Sequence, residues 1–489
     1  MRALVLSAFA LLGLPGCQDA PMIHAPLPPA STFAGYGDQV VTALMQDLWA
    51  GGGQWHACDG GCDRGNLDWG DDALTFVLYL RWVTTRDGTL APLFGALTST
   101  ATSYGSCDGS LCSDWSDTPE WDAIADEREF EVSGDPHALE LAKRAYRQVR
   151  SSDAYGGGAC PTIRFQHPNG GGGGLKTLET DSNAIKAALL LWKQTGEAGY
   201  LDDAIATYQA VRGYFLDPQH PLYTVYVYDD GHACTQLPGR FFASVNGNMI
   251  WSGWALAQAT GDPSYLAQAV ETANAVDTLL ADGRGVFANL LAENDVAEPL
   301  VEAFYLLATD GFDFARAWIV RNADAAMRNS RVPDGLYGRF FDGPRQTAPI
   351  TAWQSNGGMA LAVAAAALDP THAVAAGSDW AAAQSVPAEI TALPSSLTFI
   401  GSGVALLGTL GEHCCESGHA SLAIDGVPTI DGTGIWQDKS SAGRSFDDAV
   451  LFAWQWPGSA EHTLTFGPST TNAKEGSPFL HIRGYLLLP

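Results

Sequence analysis

The side chains best suited to chemistry lie in the segment Ser113-Asp-Trp-Ser-Asp-Thr-Pro-Glu-Trp-Asp122, directly before a predicted helix. Carboxyl groups that stand together at a helix start can face one cleft, where one attacks a substrate and another transfers a proton. The same residues can instead begin the helix. Thr118 can cap it with Pro119 at the first position, or Asp117 can cap it with Glu120 completing a capping box. The segment therefore leaves catalysis and capping open.

Two further acidic pairs are candidates for ligand contact. Asp71-Asp72 follows Trp69 and precedes another predicted helix, where an aspartate can also serve as an N-cap. Asp229-Asp230 precedes a glycine, and Asp-Gly is equally typical of a plain turn. The sequence has no HExxH motif, no Gly-x-Ser-x-Gly elbow with a partner His, and no phosphate-loop signature in its glycine run at 170–174. It therefore predicts neither a metal site nor a cofactor.

Composition narrows the class of partner. The chain has 489 residues, 26 basic and 54 acidic side chains, and a formal net charge of −28. A nucleic-acid surface needs clustered Lys and Arg, so this balance argues against nucleic acid. With 46% hydrophobic residues, 15 Trp, 15 Tyr and 20 Phe, the chain can fill substantial cores. A folded, acidic, aromatic-rich protein that binds a neutral partner such as a sugar fits these numbers.

Helices must position the candidate side chains. From about residue 36 to 375, apolar residues recur at three- and four-residue spacing in eleven segments: 40–48, 73–82, 121–130, 139–149, 183–193, 201–215, 249–259, 265–280, 296–308, 314–327 and 357–367. A turn with glycine followed by an acidic residue recurs at Gly134, Gly196 and Gly261, which is typical of a helix end. Its spacing of 62 and 65 residues matches a long helical hairpin. Roughly six hairpins fit, which predicts an all-α (α/α)6 toroid.

The two ends of the chain differ from this region. Residues 385–489 alternate between apolar and polar positions and predict a smaller all-β jelly-roll sandwich, a separate domain that should fold alone because few contacts are expected across the boundary. Its Trp436, Trp454 and Trp456 can stack on a sugar or fill the core. Residues 1–17 read as a bacterial lipoprotein signal peptide whose Cys17 is acylated, with ordinary secretion as the alternative. Residues 18–35 read as a linker.

Eight cysteines remain besides Cys17. An even number in an exported chain predicts disulfides, with local staples expected at Cys58/Cys62 and Cys107/Cys112. Cys160 and Cys234 are left without an assigned pairing, and the adjacent Cys414-Cys415 can bridge each other or pair elsewhere. The expected location is the bacterial cell envelope, at the outer surface or in the periplasm.

The order of motifs resembles glycoside hydrolase family 76, the endo-α-1,6-mannanases and related transglycosidases. Such enzymes carry an Asp-Asp pair before a helix with Trp and Ala that ends in a Thr-Gly-Asp turn. Residues 113–135 resemble this pattern, with Asp117-Thr118 before the helix and Ser-Gly-Asp135 at its end. The glycines at 156–158, the segment Ile163-Arg-Phe165, Asn183 and Asn246 follow in the family's order. The resemblance covers most of residues 40–375. The segments 399–408, 423–427, 448–453 and 461–465 look like a galactose-binding-like module.

The resemblance implies roles for single residues. Asp117 matches the family's nucleophile, and Thr118 occupies the acid/base position, where its hydroxyl cannot act as an acid near neutral pH because its pKa is far too high. Asp114, Glu120 or Asp122 would have to replace it. The resemblance further implies substrate contacts at Trp69, Asp71, Asp72, Trp121, Asn183, Asp229, Asp230 and Asn246.

Two functions follow as expectations. The first is a glycoside hydrolase that acts on α-mannan or a related α-linked polysaccharide by a retaining mechanism, which uses two carboxyl groups roughly 5–5.5 Å apart. The alternative is a surface glycan-binding lipoprotein that kept the cleft and lost the acid. Both predict an oligosaccharide or polysaccharide partner, membrane contact only through a lipid anchor, and a monomer.

Overall fold

The computed structural model describes residues 26–59, 64–65, 69–100, 115–151, 158–166, 174–237, 239–289, 295–410, 418–430, 435–437, 446–468 and 482–489. The predicted signal segment with Cys17 lies outside these ranges, as do Asp114 and the five cysteines Cys62, Cys107, Cys112, Cys414 and Cys415. Within the described residues, no helix is long and apolar enough to span a bilayer.

Twelve α-helices are described in the first 368 residues, and we number them in chain order. They are α1 Phe33–Ala43, α2 Trp69–Thr85, α3 Ala91–Thr100, α4 Thr118–Ser133, α5 Pro136–Ser151, α6 Leu178–Thr195, α7 Ala198–Phe215, α8 Ala243–Thr260, α9 Pro263–Leu279, α10 Glu298–Thr309, α11 Asp313–Asn329 and α12 Ala352–Leu368.

The even-numbered helices form an inner ring. In that ring α2 packs on α4, α4 on α6, α6 on α8, α8 on α10, α10 on α12, and α12 back on α2. Each odd-numbered helix lies outside, against an inner partner: α1 on α12, α3 and α5 on α4, α7 on α6, α9 on α8, and α11 on α10 and α12. The prediction of an (α/α)6 toroid is therefore confirmed.

The recurring glycine turn ends three of the inner helices. Gly134, Gly196 and Gly261 follow α4, α6 and α8 with φ of 72°, 71° and 75°. Glycine adopts this left-handed conformation without the clash that a Cβ would cause, and its N–H then satisfies a carbonyl of the last turn. Each turn sends the chain straight into the next outer helix. The repeat seen in the sequence is thus the inner-to-outer turn of the toroid.

Two local features differ from the sequence predictions. Helix α3 was not predicted, because Ala91–Thr100 carries a proline and a glycine that mask its apolar period. The predicted linker 18–35 overlaps the start of α1, where the Thr32 side chain accepts from the Gly35 amide and Phe33 is fully buried. Upstream, the Leu27 amide donates to the Pro333 carbonyl. The end of the predicted linker is therefore docked on the toroid.

Two small antiparallel sheets accompany the helices. The first joins β1 Trp49–Gly51, β2 Gln54–His56 and β3 Arg64–Gly65. The second joins β4 Leu175–Thr177, β5 Tyr226–Asp229 and β6 Cys234–Gln236. Strand β4 runs directly into α6, so the second sheet lies where an inner helix begins.

The C-terminal region folds as one antiparallel sheet, consistent with the predicted β-sandwich. Its strands are β7 Gln384–Ile390, β8 Ser395–Leu410, β9 Gly418–Ile424, β10 Val427–Pro428, β11 Ile435–Gln437, β12 Phe446–Pro468 and β13 Ile482–Leu488. The order is β10-β9-β12-β8-β13-β7, and β11 pairs with β9. The two long strands β8 and β12 pair along most of their length, with bulges that break the register. Bulges bend long strands, so one hydrogen-bonded sheet can curve over itself.

The sheet and the toroid share a buried polar interface. Gln455 of β12 is 2% exposed, donates to the Asp342 carbonyl at 2.7 Å and accepts from Arg284 Nη1 at 2.6 Å. Arg284 Nη1 also lies 2.7 Å from Asp379 Oδ2 and 3.5 Å from Asp342 Oδ2. A buried aspartate, Asp282, adjoins them. We call Asp282, Arg284, Asp342 and Asp379 the interface cluster.

This interface corrects the expectation of few shared contacts. Aromatic rings of Phe340 and Phe452 also meet edge to face across it, and the Val450 amide donates to Gln346. The composition change near residue 369 reports a change of secondary structure, but it carries no information on how polar groups of two regions match. Independent folding of 385–489 stays a prediction.

Candidate active site

All six inner helices begin at one end of the toroid, which we call the loop end. The turns from an inner to an outer helix are short, whereas the connections back to an inner helix are long. Residues 152–177 lead to α6, 216–242 to α8, 280–297 to α10 and 330–351 to α12. Binding and catalytic residues are most often carried by loops on a rigid scaffold. The loop end is therefore where the candidate side chains must meet.

Asp117 stands at the start of the inner helix α4. It occupies the N-cap position with helical φ and ψ of −78° and −30°, and its side chain makes no capping hydrogen bond. Its carbonyl accepts from the amides of Glu120 and Trp121, both at 3.0 Å. The residue is 9% exposed. The helix N-terminus carries partial positive charge, which favours a carboxylate there.

Neither predicted cap of α4 forms. Thr118 is the first helical residue rather than the cap, and Pro119 follows it in the first turn. Both carboxyl oxygens of Glu120 are buried without a hydrogen bond among the described residues, so no capping box exists. Capping therefore does not explain why Asp117, Thr118 and Glu120 are present. Thr118 itself is fully buried.

Glu120 belongs to a buried group behind Asp117. Its Oε1 lies 3.6 Å from Arg164 Nε, and Arg164 Nη1 pairs with Asp181 Oδ1 at 2.9 Å. The Arg164 amide donates to the other oxygen of Asp181 at 3.3 Å. Asp181 stands in the first turn of α6, so neighbouring inner helices are joined through one arginine. We call Asp117, Glu120, Arg164 and Asp181 the α4 cluster.

Burial sets the protonation of this cluster. It raises the pKa of Glu120 well above its usual range; Arg164 lowers that pKa, and the charges of Asp181 and Asp117 raise it further. Burial also raises the pKa of Asp181, to about 6, against the lowering effect of Arg164. Burial therefore favours the protonated, neutral form of Glu120. Within the described residues, no group of three or more His, Cys, Asp or Glu is arranged to hold a metal ion.

Three residues predicted to contact substrate lie inside the ring. Trp121 is 3% exposed and stacks on Phe76 with ring centroids 5.6 Å apart. Asn183 is fully buried, and its Oδ1 accepts from Asn248 Nδ2 at 2.7 Å. Asn246 is fully buried as well, and its amide bonds the backbone of Tyr223 and Phe242. These three side chains hold the scaffold together; substrate contact at them stays a prediction.

The pair at the start of α2 is described in part. Asp72 is 6% exposed and lies in the first turn of the helix. The side chains of Trp69 and Asp71 lie outside the described part of the chain. The structure thus places the backbone of all three at the loop end, beside α4.

Asp229 and Asp230 anchor loops. Asp229 accepts from the amides of Ala159 at 3.0 Å and Cys160 at 3.1 Å, and it pairs with Lys176 Nζ at 3.0 Å. Although burial raises its pKa, these bonds and one from the Gly231 amide lower it to about 2. The exposed Asp230 accepts from the amides at 232 and 233. Both carboxylates are engaged in turns, as the plain-turn alternative predicts.

A disulfide supports the same turn. Cys160 and Cys234 are bonded, which joins the turn before Arg164 to strand β6. This pairing was not predicted, since its two cysteines lie 74 residues apart and carry no local signature. Cys58 is also disulfide-bonded, and its partner lies outside the described residues.

A second polar group on the toroid axis was missed by the sequence analysis. Arg128 Nη2 lies 2.5 Å from Glu302 Oε2, and Lys186 Nζ lies 2.7 Å from the same oxygen. Lys186 also donates to Asn248 Oδ1 at 3.3 Å, and the Arg128 guanidinium lies 4.1 Å from the centre of the Phe76 ring. On a helical wheel such charges resemble a solvent-facing stripe. Only the ring of helices shows that they face each other.

The tryptophans of the C-terminal sheet border a cavity. Trp454 and Trp456 are half-buried and, with the 279–289 loop of the toroid, line a cavity of about 300 Å³. Trp456 stacks on His462 at 3.8 Å, and Trp454 lies parallel to Phe452. The side chain of Trp436 lies outside the described residues.

Solved structures share the toroid. One is an inactive variant of the α-1,6-mannanase GH76A of Salegentibacter sp. HEL1_6, in which two consecutive aspartates are replaced and α-1,6-mannotetrose is bound. It is 20% identical to this chain with a TM-score of 0.60, and the match covers 69% of this chain and 99% of that one. The GH76 α-mannanase BT2949 of Bacteroides thetaiotaomicron is 16% identical with a TM-score of 0.59, covering 69% and 96%. An unsaturated glucuronyl hydrolase specific for heparin is 10% identical with a TM-score of 0.52, covering 69% and 98%. Neither a family model nor a curated protein matches the sequence. At these identities the likeness establishes the fold.

Proposed function

We propose that this chain is a glycoside hydrolase that acts on α-mannan or a related α-linked polysaccharide, with Asp117 as the nucleophile. One observation carries the proposal: a carboxylate stands at the start of an inner helix and is not used as its cap. The fold supports it, because α-mannanases with this toroid include a variant that is inactive when two consecutive aspartates are replaced.

The proposed reaction has two steps. Asp117 attacks the anomeric carbon, the glycosidic bond breaks, and a covalent glycosyl-enzyme forms as the leaving oxygen takes a proton. Water then attacks the anomeric carbon of that intermediate and loses a proton to the solvent, the ester bond to Asp117 breaks, and the sugar leaves as the carboxylate is restored. The carboxylate charge that Asp117 carries before the first step, and regains in the second, lies at the positive end of α4. Asp117 and the N-terminus of α4 thus provide the nucleophile and the stabilisation of its charge.

The proton for the leaving oxygen is the weak point of this mechanism. Thr118 is fully buried and carries no acidic proton near pH 7. Burial raises the pKa of Glu120 and so favours its protonated form, but the side chain is fully buried and cannot touch a sugar in this arrangement. Asp122 is half-buried in the first turns of α4. A slow enzyme, or one that cleaves substrates with good leaving groups, follows from such a site.

A second candidate function is a glycan-binding protein without turnover. The burial of Thr118 favours it, because the position that should carry the acid is closed as well as chemically altered. This candidate keeps the loop end as a sugar site and removes the reaction.

Product release from α-mannan distinguishes the two candidates. Wild-type protein and Asp117→Asn are incubated with unbranched and branched α-mannans and with other α-glucans, and reducing ends are counted. Asp117→Asn replaces the nucleophilic carboxylate by an amide, which should reduce the rate by roughly 10³-fold or more and leave the melting temperature unchanged. Binding without any new reducing end on every glycan would favour the binding protein. Equal activity of the two proteins would place the chemistry elsewhere.

We further propose that the chain is exported to the bacterial cell envelope and anchored by a lipid on Cys17. The support is the sequence of residues 1–17 alone. Membrane fractionation of cells that produce the full chain tests this.

A further inference from the structure

We propose that two exposed aromatic side chains at the loop end, Trp115 and Tyr228, form a shelf that binds an extended neutral glycan leading to Asp117. This inference rests on the proposed function for its ligand class, but it holds for an enzyme and for a binding protein alike. Neither residue stood among the side chains that the sequence pointed to.

Exposure singles these two residues out. Among the described residues, five large hydrophobic side chains are exposed, and Trp115 at 37% and Tyr228 at 42% are the two aromatic ones. Tryptophan and tyrosine combine a flat apolar face with a polar edge, so their exposure at a site entrance suits a ligand that is partly apolar and partly wet. The other three, Leu279, Ile400 and Val427, are aliphatic.

Backbone hydrogen bonds connect the chain segments that carry the two residues. Trp115 adjoins Ser116, whose amide donates to the Gln166 carbonyl at 2.9 Å. The Gln166 amide donates to the Leu175 carbonyl at 3.0 Å, and Leu175 in β4 pairs with Tyr228 in β5. The segments that carry Trp115 and Tyr228 are therefore joined through two intermediate chain segments.

The alternation of strand β5 explains which of its residues faces the solvent. Val227 and Asp229 point into the molecule, where Asp229 pairs with Lys176, while Tyr228 points outward. Residues paired directly across two strands share a face. Leu175 in β4 and Thr235 in β6, the direct partners of Tyr228, accordingly lie on the outer face with it. The sequence analysis pointed to the aspartates of this strand, and the exposed ring beside them is the better ligand contact.

The distance along this surface sets the size of the ligand. Three steps between neighbouring chain segments separate Ser116 from Tyr228, and at about 4.8 Å a step they span roughly 14 Å. One sugar ring cannot bridge that length, whereas a linear oligosaccharide can. Trp115 is two residues from Asp117, so the near end of the shelf adjoins the proposed nucleophile. The net charge of −28 disfavours an anionic polymer, and the two uncharged rings suit a neutral glycan.

Binding measurements with ligands of two lengths test the shelf. All proteins carry Asp117→Asn to prevent turnover, and affinity is measured by calorimetry for α-1,6-mannotriose and for a long unbranched α-1,6-mannan. Trp115→Ala and Tyr228→Ala should each weaken binding of the mannan about 3- to 10-fold, the effect of losing one aromatic contact. Tyr228→Ala should leave the trisaccharide unaffected, because that ligand does not reach the far end of the shelf.

Two control variants separate ring stacking from other effects. Tyr228→Phe keeps the ring and should bind mannan like its parent. Ile400→Ala removes an exposed apolar side chain of the C-terminal sheet and should also bind like its parent. Normal mannan binding by both Trp115→Ala and Tyr228→Ala would overturn the shelf and leave the proposed function standing if the wild type still releases reducing ends. A parent that binds no mannan at all would overturn both.

Discussion

The α4 cluster and the interface cluster both lie at the loop end and both contain carboxyl groups whose pKa is raised by burial. They differ in what surrounds those groups. In the interface cluster, Asp342 accepts from Asn329 at 2.8 Å, and Arg284 and the buried Gln455 join the toroid to the sheet. In the α4 cluster, Glu120 has no hydrogen bond among the described residues, and the Asp117 side chain makes no capping hydrogen bond to α4.

This difference shows that a raised pKa alone does not mark a functional site. Burial raises the pKa of a carboxyl wherever it occurs, including at a purely structural boundary. A better indication of a catalytic site is a combination of three features. A carboxylate, Asp117, stands at the positive end of a helix, it lies beside a buried acid whose pKa is raised, Glu120, and both are at the loop end. Substitutions in the α4 cluster should therefore affect the rate of hydrolysis, and substitutions in the interface cluster should affect stability.

Thr118→Asp should give the largest effect. It adds a second carboxyl beside Asp117 at the first position of α4, where the helix N-terminus tolerates the charge. Thr118 is fully buried, so the gain requires that the larger aspartate side chain opens this position to the cleft. If it does and only the acid is missing, general acid catalysis should raise the rate of mannan hydrolysis by about 10²–10⁴-fold. Reducing-end release over a range of pH measures the gain.

Thr118→Asn is the matched control, since it has the size of aspartate and cannot transfer a proton. It should show no gain. A wild type that is active, together with a Thr118→Asp variant of equal activity, would mean that another group already supplies the proton.

Asp342 should give an effect on stability instead. Burial and the neighbouring Asp282 raise its pKa to about 8, against the lowering effects of Arg284 and Asn329. The folded state then holds a proton that the unfolded chain releases near pH 4, so this carboxyl stabilises the fold below that pH and its contribution is lost as pH rises through about 8. The slope for one such proton is at most about 1.4 kcal/mol per pH unit.

Asp342→Asn mimics the protonated form and should flatten the fall in melting temperature between pH 4 and 8. Its activity on mannan should match that of the wild type, since the interface cluster is joined to the sheet and not to Asp117. An unchanged pH slope in the variant would assign the proton to Asp282 or to another buried carboxyl.

The sequence predicted the scaffold better than the site, for physical reasons. Helix periodicity and the glycine turns are local properties, so eleven of the helices and their pairing into hairpins could be read from neighbouring residues. The arginine that links Glu120 to Asp181 comes from a different segment. Such a contact depends on how the ring closes, and no spacing in the sequence encodes it.

Aromatic and acidic residues illustrate the same limit. Trp121 looked like a ligand contact and is packed inside the ring, whereas Trp115, six residues earlier, is exposed. Asp229 and Tyr228 are neighbours, yet strand alternation sends the carboxylate inward and the ring outward. In both cases residue type pointed to the segment that also carries the exposed ring. Which side chain faces the solvent depends on the element that carries it.

Glu120→Gln should have the smallest effect, and it tests whether Glu120 has replaced the missing acid. Burial, together with the charges of Asp181 and Asp117, raises the pKa of Glu120 against the lowering effect of Arg164, and a glutamine has the charge and nearly the shape of the protonated form that this favours. Because Glu120 is fully buried, we expect mannan hydrolysis within about threefold of the wild type, far below the 10²–10⁴-fold that a general acid contributes. The melting temperature at pH 7 should also be unchanged.

A different outcome would change the mechanism. Loss of 10²-fold or more in hydrolysis with an unchanged melting temperature would mean that Glu120 reaches the leaving oxygen when substrate binds, since a glutamine keeps the packing and loses only the transferable proton. Thr118→Asp should then rescue Glu120→Gln by restoring an acid two residues away in the same helix. If Glu120→Gln is neutral and Thr118→Asp is activating, the α4 cluster contains one working carboxylate, and its buried acid serves to hold Arg164 between the two helices.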